Sequence, residues 1–457
     1  MGIKHWYIKF LLIGLSVFLA LPASAQTTAD GAAQAILAEV SRLMARREYP
    51  AALNLFDTIS PSVIQTPEVQ LLRASLLNSN GRPADARAIA AGIISHDSNN
   101  VDALLVLASS AALENKERDQ RNYLDRVIRI DPNNLKALSD LGYIALRAQS
   151  LRTAAGHFDK ALSINADYRE ALVGRAIVYR YARDPKRSEQ LLNRAIRQNP
   201  DWAMPLNERA RLYKGTGFPE EALKDLDAAK RLDPDSYWIS VDRAGTLFDL
   251  NRKREALEEL DRALTLDPEG FLALVYRAGI RDELGDFDGA ERDYTTITRI
   301  RPDYYFAAEG LGIIKMRKHD YTAARDAFLA AYRQAPKEYR YALLAAYNWM
   351  KAGKPADPKQ FLANVLRTAP RNSSDWQILR LYHDLSGDVD AAARAEQEQN
   401  LDAKSQMLFY LACYYDARGN RNIANNYFLQ VKDMNRMGII EWKINEWMLD
   451  ERGINIR

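Results

Sequence analysis

The chain has 457 residues, 47% hydrophobic and 27% charged, and its 63 Lys and Arg against 60 Asp and Glu give a formal net charge of +3. No block of like charge occurs, so neither nucleic acid nor an anionic membrane surface is favoured as a partner. A single cysteine, Cys413, excludes a framework of internal disulfides.

Lys4 and Lys9 precede an apolar run from Phe10 to Leu21, followed by Pro22 and Ala23-Ser24-Ala25. A basic start, a short apolar core and a small-x-small end describe a secretory signal peptide at 1–25, cut before Gln26. Loss of the two lysines takes the net charge from +3 to +1. The run is short for a membrane span and no cysteine adjoins the cut to carry a lipid, so no stable membrane insertion is expected; an uncleaved anchor is the alternative. The mature chain is expected to be exported, with the periplasm the first expectation and secretion the alternative. Residues 26–32 are a short lead into the fold.

From there proline recurs at multiples of 34 residues: Pro132, Pro200, Pro234, Pro268, Pro302, Pro336 and Pro370, with Ala166 filling the one vacant position. A second series, Pro83, Pro185, Pro219 and Pro355, keeps the same period and falls midway. Proline cannot donate a backbone hydrogen bond and clashes inside a helix, so it marks helix starts and the residues just past helix ends. Two breaks per period leave two helices of about 12 to 15 residues. Gly81, Gly217, Gly285, Gly353, Gly387 and Gly419 mark the turn between them, where a left-handed residue ends a helix.

The small positions repeat too. Ala74, Ala108, Gly142, Ala176, Ala210, Ala244, Ala278, Gly312, Ala346 and Ala412 share one first-helix site, where a small residue lets helix axes approach. In the second helices an Ala, a large apolar residue and a small or apolar one recur as Ala52, Phe56, Ile59; Ala154, Phe158, Ala161; Ala222, Leu226, Ala229; and Ala324, Phe328, Ala331. Leu138, Leu141, Gly142, Ala145, Ala154, Phe158 and Ala161 together resemble the tetratricopeptide repeat, whose period is 34. The resemblance covers roughly residues 33 to 438. It implies an all-α fold, a right-handed α-solenoid of about twelve helix-turn-helix repeats with a C-terminal capping helix.

The pattern loosens in places. Gln120 and Pro358 replace the second-helix Ala of the third and tenth repeats, and Arg380 occupies the small site of the eleventh. Pro358 after Asp357 predicts a late start for that helix. The eleventh second helix, around Val389 to Asn400, contains no Leu, Ile, Phe or Met. Its weakness predicts either a bend or soft joint, or simple degeneracy with no mechanical role. The solenoid is therefore placed at 33–404, a last repeat at 405–438, and a capping helix and tail at 439–457.

No chemistry is legible. The histidines, His5, His96, His157, His319 and His383, are scattered without a second ligand at metal spacing. Lys214-Gly215-Thr216-Gly217 resembles a phosphate loop but lacks the order and the preceding strand, and Gly217 belongs to the turn series. Asn372-Ser373-Ser374 fits a glycosylation sequon, relevant only in a eukaryotic secretory route. Neither an enzyme nor a metal or cofactor is expected.

What remains is binding. First helices line the concave wall of such a stack, so equivalent residues of successive repeats become neighbours. One row reads Met204, Trp238, Leu272, Phe306 and the next Asn207, Val241, Val275, Glu309. Gly245 and Gly279 beside them would deepen a groove, with Arg180, Arg211 and Lys214 at one end and Asp282 and Glu309 at the other. An apolar stripe between opposite charges suits an amphipathic helix or extended segment of a protein partner; the alternative is that Trp238 and Phe306 cover joints between repeats.

Tyr304, Tyr305, Tyr321, Tyr332, Tyr339, Tyr341, Tyr347 and Trp349 form an aromatic concentration that would suit stacking on a glycan. In the helix from Ile439 to Leu449, helical spacing puts Ile440, Ile444, Trp447 and Met448 on one face. Ile439 and Trp442 fall opposite, as a second surface for a partner or a second copy. The expected function is a non-enzymatic envelope scaffold that holds protein partners, serving assembly, export or wall maintenance. The alternatives are a glycan-binding module in polysaccharide export and a self-assembling structural protein.

Overall fold

The computed structural model describes residues 28–46, 48–353 and 358–454. The leader at 1–25 and Pro355 lie outside the described residues. Among those described the chain is an all-α solenoid of helical repeats, which divides into two compact units between Glu259 and Leu260. The division falls inside the seventh repeat, away from residue 404, where the sequence pointed to a change.

The first unit stacks helix pairs: Thr28–Ala45 with Tyr49–Leu55, Pro67–Ser79 with Pro83–His96, Val101–Leu113 with Glu117–Ile130, Leu135–Arg147 with Leu151–Ile164, Arg169–Tyr181 with Pro185–Gln198, and Ala203–Gly215 with Pro219–Leu232. Tyr237–Asp249 follows, and its second helix, Lys253–Leu266, crosses the division. The second unit holds Phe271–Glu283 with Phe287–Ile300, Tyr305–Arg317 with Tyr321–Gln334, Tyr339–Lys351 with Lys359–Thr368, Ser374–Asp384 with Asp388–Gln397, Leu401–Ala417 with Arg421–Asp433, and a last helix, Ile440–Glu451. The first helix begins at Thr28, inside the segment read as a lead.

Each boundary has a local cause. Pro83, Pro185 and Pro219 are first residues of second helices, where no amide hydrogen is required. First helices end on a residue with positive φ at 81, 115, 149, 183, 217, 251, 285, 319 and 353, and glycine supplies only some of them. Asn115, Gln149, Arg183, Asn251 and His319 adopt the same left-handed backbone, with φ of 57° or 58°. The next amide closes the helix, as in Ser150 N to Ala145 O at 2.8 Å. Pro358 is the N-cap of Lys359–Thr368, so that helix does start late.

The small sites are contact points. Ala154, Phe158 and Ala161 are fully buried, and a Cβ on Gly142 would sit 2.6 Å from the Phe158 ring. The same ring abuts Gly174 in the next first helix still more closely. Phe158 is thus wedged between two glycines, one legible in the small-site series and one not. In the eleventh pair the small site does not fall at Arg380, which is 58% exposed and pairs with Asp384. The preceding loop carries an extra residue, Asn372 at φ 67°, the helix starts at Ser374, and Leu381, one residue later, is buried.

A ladder of arginines at one first-helix position binds neighbouring helices together. Arg175 donates to Asp159 at 2.6 Å. Arg209 grips Asp225 through two bonds at 2.7 and 2.6 Å and reaches back to Asn193 at 2.6 Å. Arg243 bridges Asp227 at 2.8 Å and Glu259 at 3.0 Å. In the second unit Arg277 holds Asp293 through two bonds and Asp261 through a third. Asp225, Glu259 and Asp293 are buried, so these guanidiniums compensate carboxylates withdrawn from water.

Candidate functional site

The predicted rows are split by the division of the chain. Met204, Asn207, Trp238, Val241, Arg180, Arg211 and Lys214 lie in the first unit; Leu272, Val275, Phe306, Asp282 and Glu309 lie in the second.

In the first unit the stripe is mostly interior. Met204 and Val241 are buried and Asn207 is fully so. Trp238 is half-buried and packs against the cluster holding Met204, Leu172 and Leu212. The basic residues do not flank an apolar groove; each is paired with a carboxylate of its own or an adjacent first helix. Arg180 donates to Glu208 at 3.1 Å, Arg211 to Glu208 at 2.8 Å and Asp242 at 2.7 Å, and Lys214 pairs with Asp249 at 3.2 Å. Asn207 adds a bond to Asp242 at 3.0 Å. The partly exposed charges of this face are Arg180, Arg211, Asp242, Lys214 and Asp249, the first two held from beneath by the fully buried Glu208, with Tyr181 beside them, 40% exposed, under the Arg180 guanidinium. The position-by-position reading found the basic half of that set and missed Glu208, Asp242 and Asp249. Glu208 and Asp242 lie one residue along from the second row, and Asp249 lies outside both rows.

In the second unit Leu272 and Val275 are half-buried, while Phe306 is 49% exposed and lies against Tyr305 and Tyr304. A Cβ on Gly279 would meet nothing within 4 Å. Glu309 accepts from the Tyr341 hydroxyl at 2.6 Å; burial holds its carboxyl above the usual range, with that bond and Arg340 pulling the other way. Asp282 is likewise raised by burial, against the pull of Arg317 and Lys443.

Lys443 belongs to the last helix, which packs on Arg421–Asp433 and Leu401–Ala417, donates from Asn445 to the Phe428 carbonyl at 3.0 Å, and reaches the ninth pair through Trp447 and Glu451. Its buried face is Glu441, Ile444, Asn445, Met448 and Leu449. The Trp447 ring lies 5.3 Å from the Arg317 guanidinium, Glu451 pairs with His319 at 2.9 Å, and Arg452 with Asp416 at 2.5 Å. Asp416 also receives the Tyr347 hydroxyl at 2.8 Å and Lys351 at 3.0 Å. Burial pushes its carboxyl up, but Arg452 and Lys351 outweigh this and hold it below the usual range. Glu441 accepts from Tyr410 at 3.0 Å and Gln406 at 3.4 Å, and burial raises its carboxyl. Ile439 and Trp442 are half-buried and form no exposed second surface; the Trp442 ring nitrogen is enclosed without a hydrogen-bond partner. First helices of the tenth and twelfth pairs meet directly through Tyr347, Lys351 and Asp416, past the short eleventh pair. Nothing periodic in the sequence announces these contacts.

The aromatic concentration is packing. Tyr341 and Tyr347 are buried, Tyr305, Tyr332, Tyr339 and Trp349 pack against one core cluster, and Tyr304 and Tyr321 are half-buried. Lys214 to Gly217 is a helix end, with Gly217 at φ 87°. Ser373 caps the helix that follows Asn372. Among the described residues no group of three or more His, Cys, Asp and Glu could hold a metal ion, and no helix is long and apolar enough to cross a membrane.

A family model described as the ETO1 C-terminal domain matches residues 115–315, less than half of the chain. No curated protein matches. Among solved structures, a chain of the APC/C hetero-tetramer Cut9-Hcn1 aligns with TM-score 0.51 at 15% identity, over 65% of this chain and 58% of that one. The present chain thus spans under two thirds of that protein. Pseudomonas aeruginosa pilF aligns with TM-score 0.41 at 20% identity, over 45% of this chain and 94% of its own. A tetratricopeptide repeat protein from Parabacteroides merdae aligns with TM-score 0.36 at 18% identity, over 56% and 98%. At such identities the likeness is one of fold.

Proposed function

The chain is a tetratricopeptide-repeat protein, and on that premise we propose that it is a non-enzymatic scaffold, exported to the cell envelope, that holds protein partners on the first-helix face of its fifth to seventh repeats. The observation that carries this reading is the set of paired, partly exposed charges Arg180, Arg211, Asp242, Lys214 and Asp249, braced by the buried Glu208, with Tyr181 exposed beside it. Side chains already fixed by their neighbours lose little freedom when a partner arrives. Fixed charges of both signs select a partner by the placement of its own charges rather than by net charge, and Tyr181 supplies a rigid aromatic anchor. The partner is a polar, charge-patterned protein segment; the buried Met204 and Val241 leave little for an apolar helix to hold. With most of the aromatic residues of the later repeats packed into the core, a glycan is the weaker alternative.

The leader pattern at 1–25 supports export, and the mature protein recovered from a periplasmic fraction is expected to begin at Gln26 by intact mass. Recovery of the full chain in the membrane fraction would mean an anchor instead. For partner binding, the test is crosslinking capture from the native envelope, comparing wild type with Tyr181→Ser/Lys214→Gln, which changes exposed atoms and spares the core. The proposal expects a specific protein to drop out of the variant's capture. An unchanged set would move the working surface elsewhere.

A further inference from the structure

We propose that the first-helix face of the second unit is a docking seat for an amphipathic helix from a protein partner, occupied until that partner arrives by the chain's own last helix, Ile440–Glu451; this rests on the scaffold reading above. The resident helix is a template for what the seat takes. Ile444 and Met448 are buried in the core cluster of the unit, Trp447 lies against Arg317, and Glu451 pairs with His319. Counted from Ile444, the pattern is aliphatic at the first and fifth positions, aromatic at the fourth and acidic at the eighth, one face of a helix.

The resident matches only part of the polar seat: Glu451, Arg452 and the Asn445 amide nitrogen find partners in His319, Asp416 and the Phe428 carbonyl, while other polar atoms do not. Trp442 Nε1, Asn445 Oδ1 and Glu446 Oε1 on the helix are enclosed without hydrogen-bond partners, as are Arg317 Nε and Asn348 Oδ1 on the first helices. Glu441 is fully buried and accepts from the neutral side chains of Tyr410 and Gln406. Each such group costs free energy that a better-matched helix does not forfeit. The tether is a short turn, pinned at Arg436 by Asp402 at 2.5 Å and exposed at Asn435, Met437 and Gly438. Between Arg421–Asp433 and the last helix, Asn435 has φ 51°, Met437 is 58% exposed, and a Cβ on Gly438 would meet nothing. The partner keeps the four-position pattern and carries a neutral hydrogen-bonding residue in place of Glu441.

The test uses the full chain and a labelled peptide spanning Met437 to Ile454 with Glu441→Gln. Wild type, its seat occupied, is expected to bind it weakly. The full-chain variant Trp447→Ala/Glu451→Ala, whose resident helix is loosened, is expected to bind at least tenfold more tightly, and adding Arg317→Ala removes most of that gain. Equal binding by wild type and the loosened variant overturns the proposal. Hydrogen exchange on wild type gives a second reading that needs no variant: amides of Ile440–Glu451 should exchange at least tenfold faster than those of Leu401–Ala417 and Arg421–Asp433, and equal protection makes the last helix a fixed part of the fold. Peptide binding here and capture through Tyr181 are read separately. Failure here alone sinks the displacement, and failure there alone sinks the first-unit reading.

Discussion

At the scale of single residues, the turn series shows what a repeat demands and what it tolerates. Gln149 and Arg183 are exposed and hold the left-handed backbone that Gly217 and Gly285 hold without a Cβ. A side chain there costs about 1 kcal/mol or more, so Arg183→Gly and Gln149→Gly are each expected to raise stability by about 1 kcal/mol, read as a higher midpoint in denaturant. The opposite case is Gly174, which abuts the Phe158 ring. Gly174→Ala should destabilise by about 1–3 kcal/mol, the usual cost of overfilling a packed core. Titration supplies a third case. Glu441 has its carboxyl raised above its ordinary 4.5 by burial, so its contribution to seating the last helix is complete below that value and is lost as pH rises through the raised one. Asp416 is held below its ordinary 3.8, so its contribution is present above that value and lost as pH falls through the lowered one. The last helix is therefore seated most firmly between the two, and Glu441→Gln should slow its hydrogen exchange at pH 7 and remove the upper limb of the dependence.

At the scale of elements, legibility followed periodicity. Pro83, Pro185 and Pro219 gave helix starts and the small-site series gave the close approaches, because both obey a steric rule acting within one repeat. The arginine ladder Arg175, Arg209, Arg243 and Arg277 obeys the same 34-residue period, but period alone does not show that the Asp225 and Asp293 it holds are buried. Arg209→Met strands Asp225 away from water and should cost roughly 3 kcal/mol; Arg209→Met/Asp225→Leu should recover most of it, as measured by unfolding in urea. The Arg380 position failed for a different reason. One extra loop residue, Asn372, displaced the helix register by a single step, and an alignment by fixed period cannot see this.

At the scale of the molecule, the all-α repeat architecture was fully legible and the site only in part. Tyr347 bonds to Asp416, 69 residues away, and His319 pairs with Glu451 still farther along the chain. Such contacts depend on how first helices of non-adjacent repeats meet, which no local pattern encodes. The predicted groove thus became two different faces, paired charges around buried apolar residues in the first unit, and half-buried Leu272 and Val275 with the exposed Phe306 in the second. The measurement that bears most directly on the scaffold reading is site-specific photo-crosslinking in living cells, with the crosslinker at Tyr181 or Lys214 on the first-helix face and at Ile130 or Ile164, exposed at the ends of second helices. The account predicts a discrete protein adduct from the first two positions and none from the others. Adducts of equal yield at all four, or at the second-helix positions alone, would contradict it.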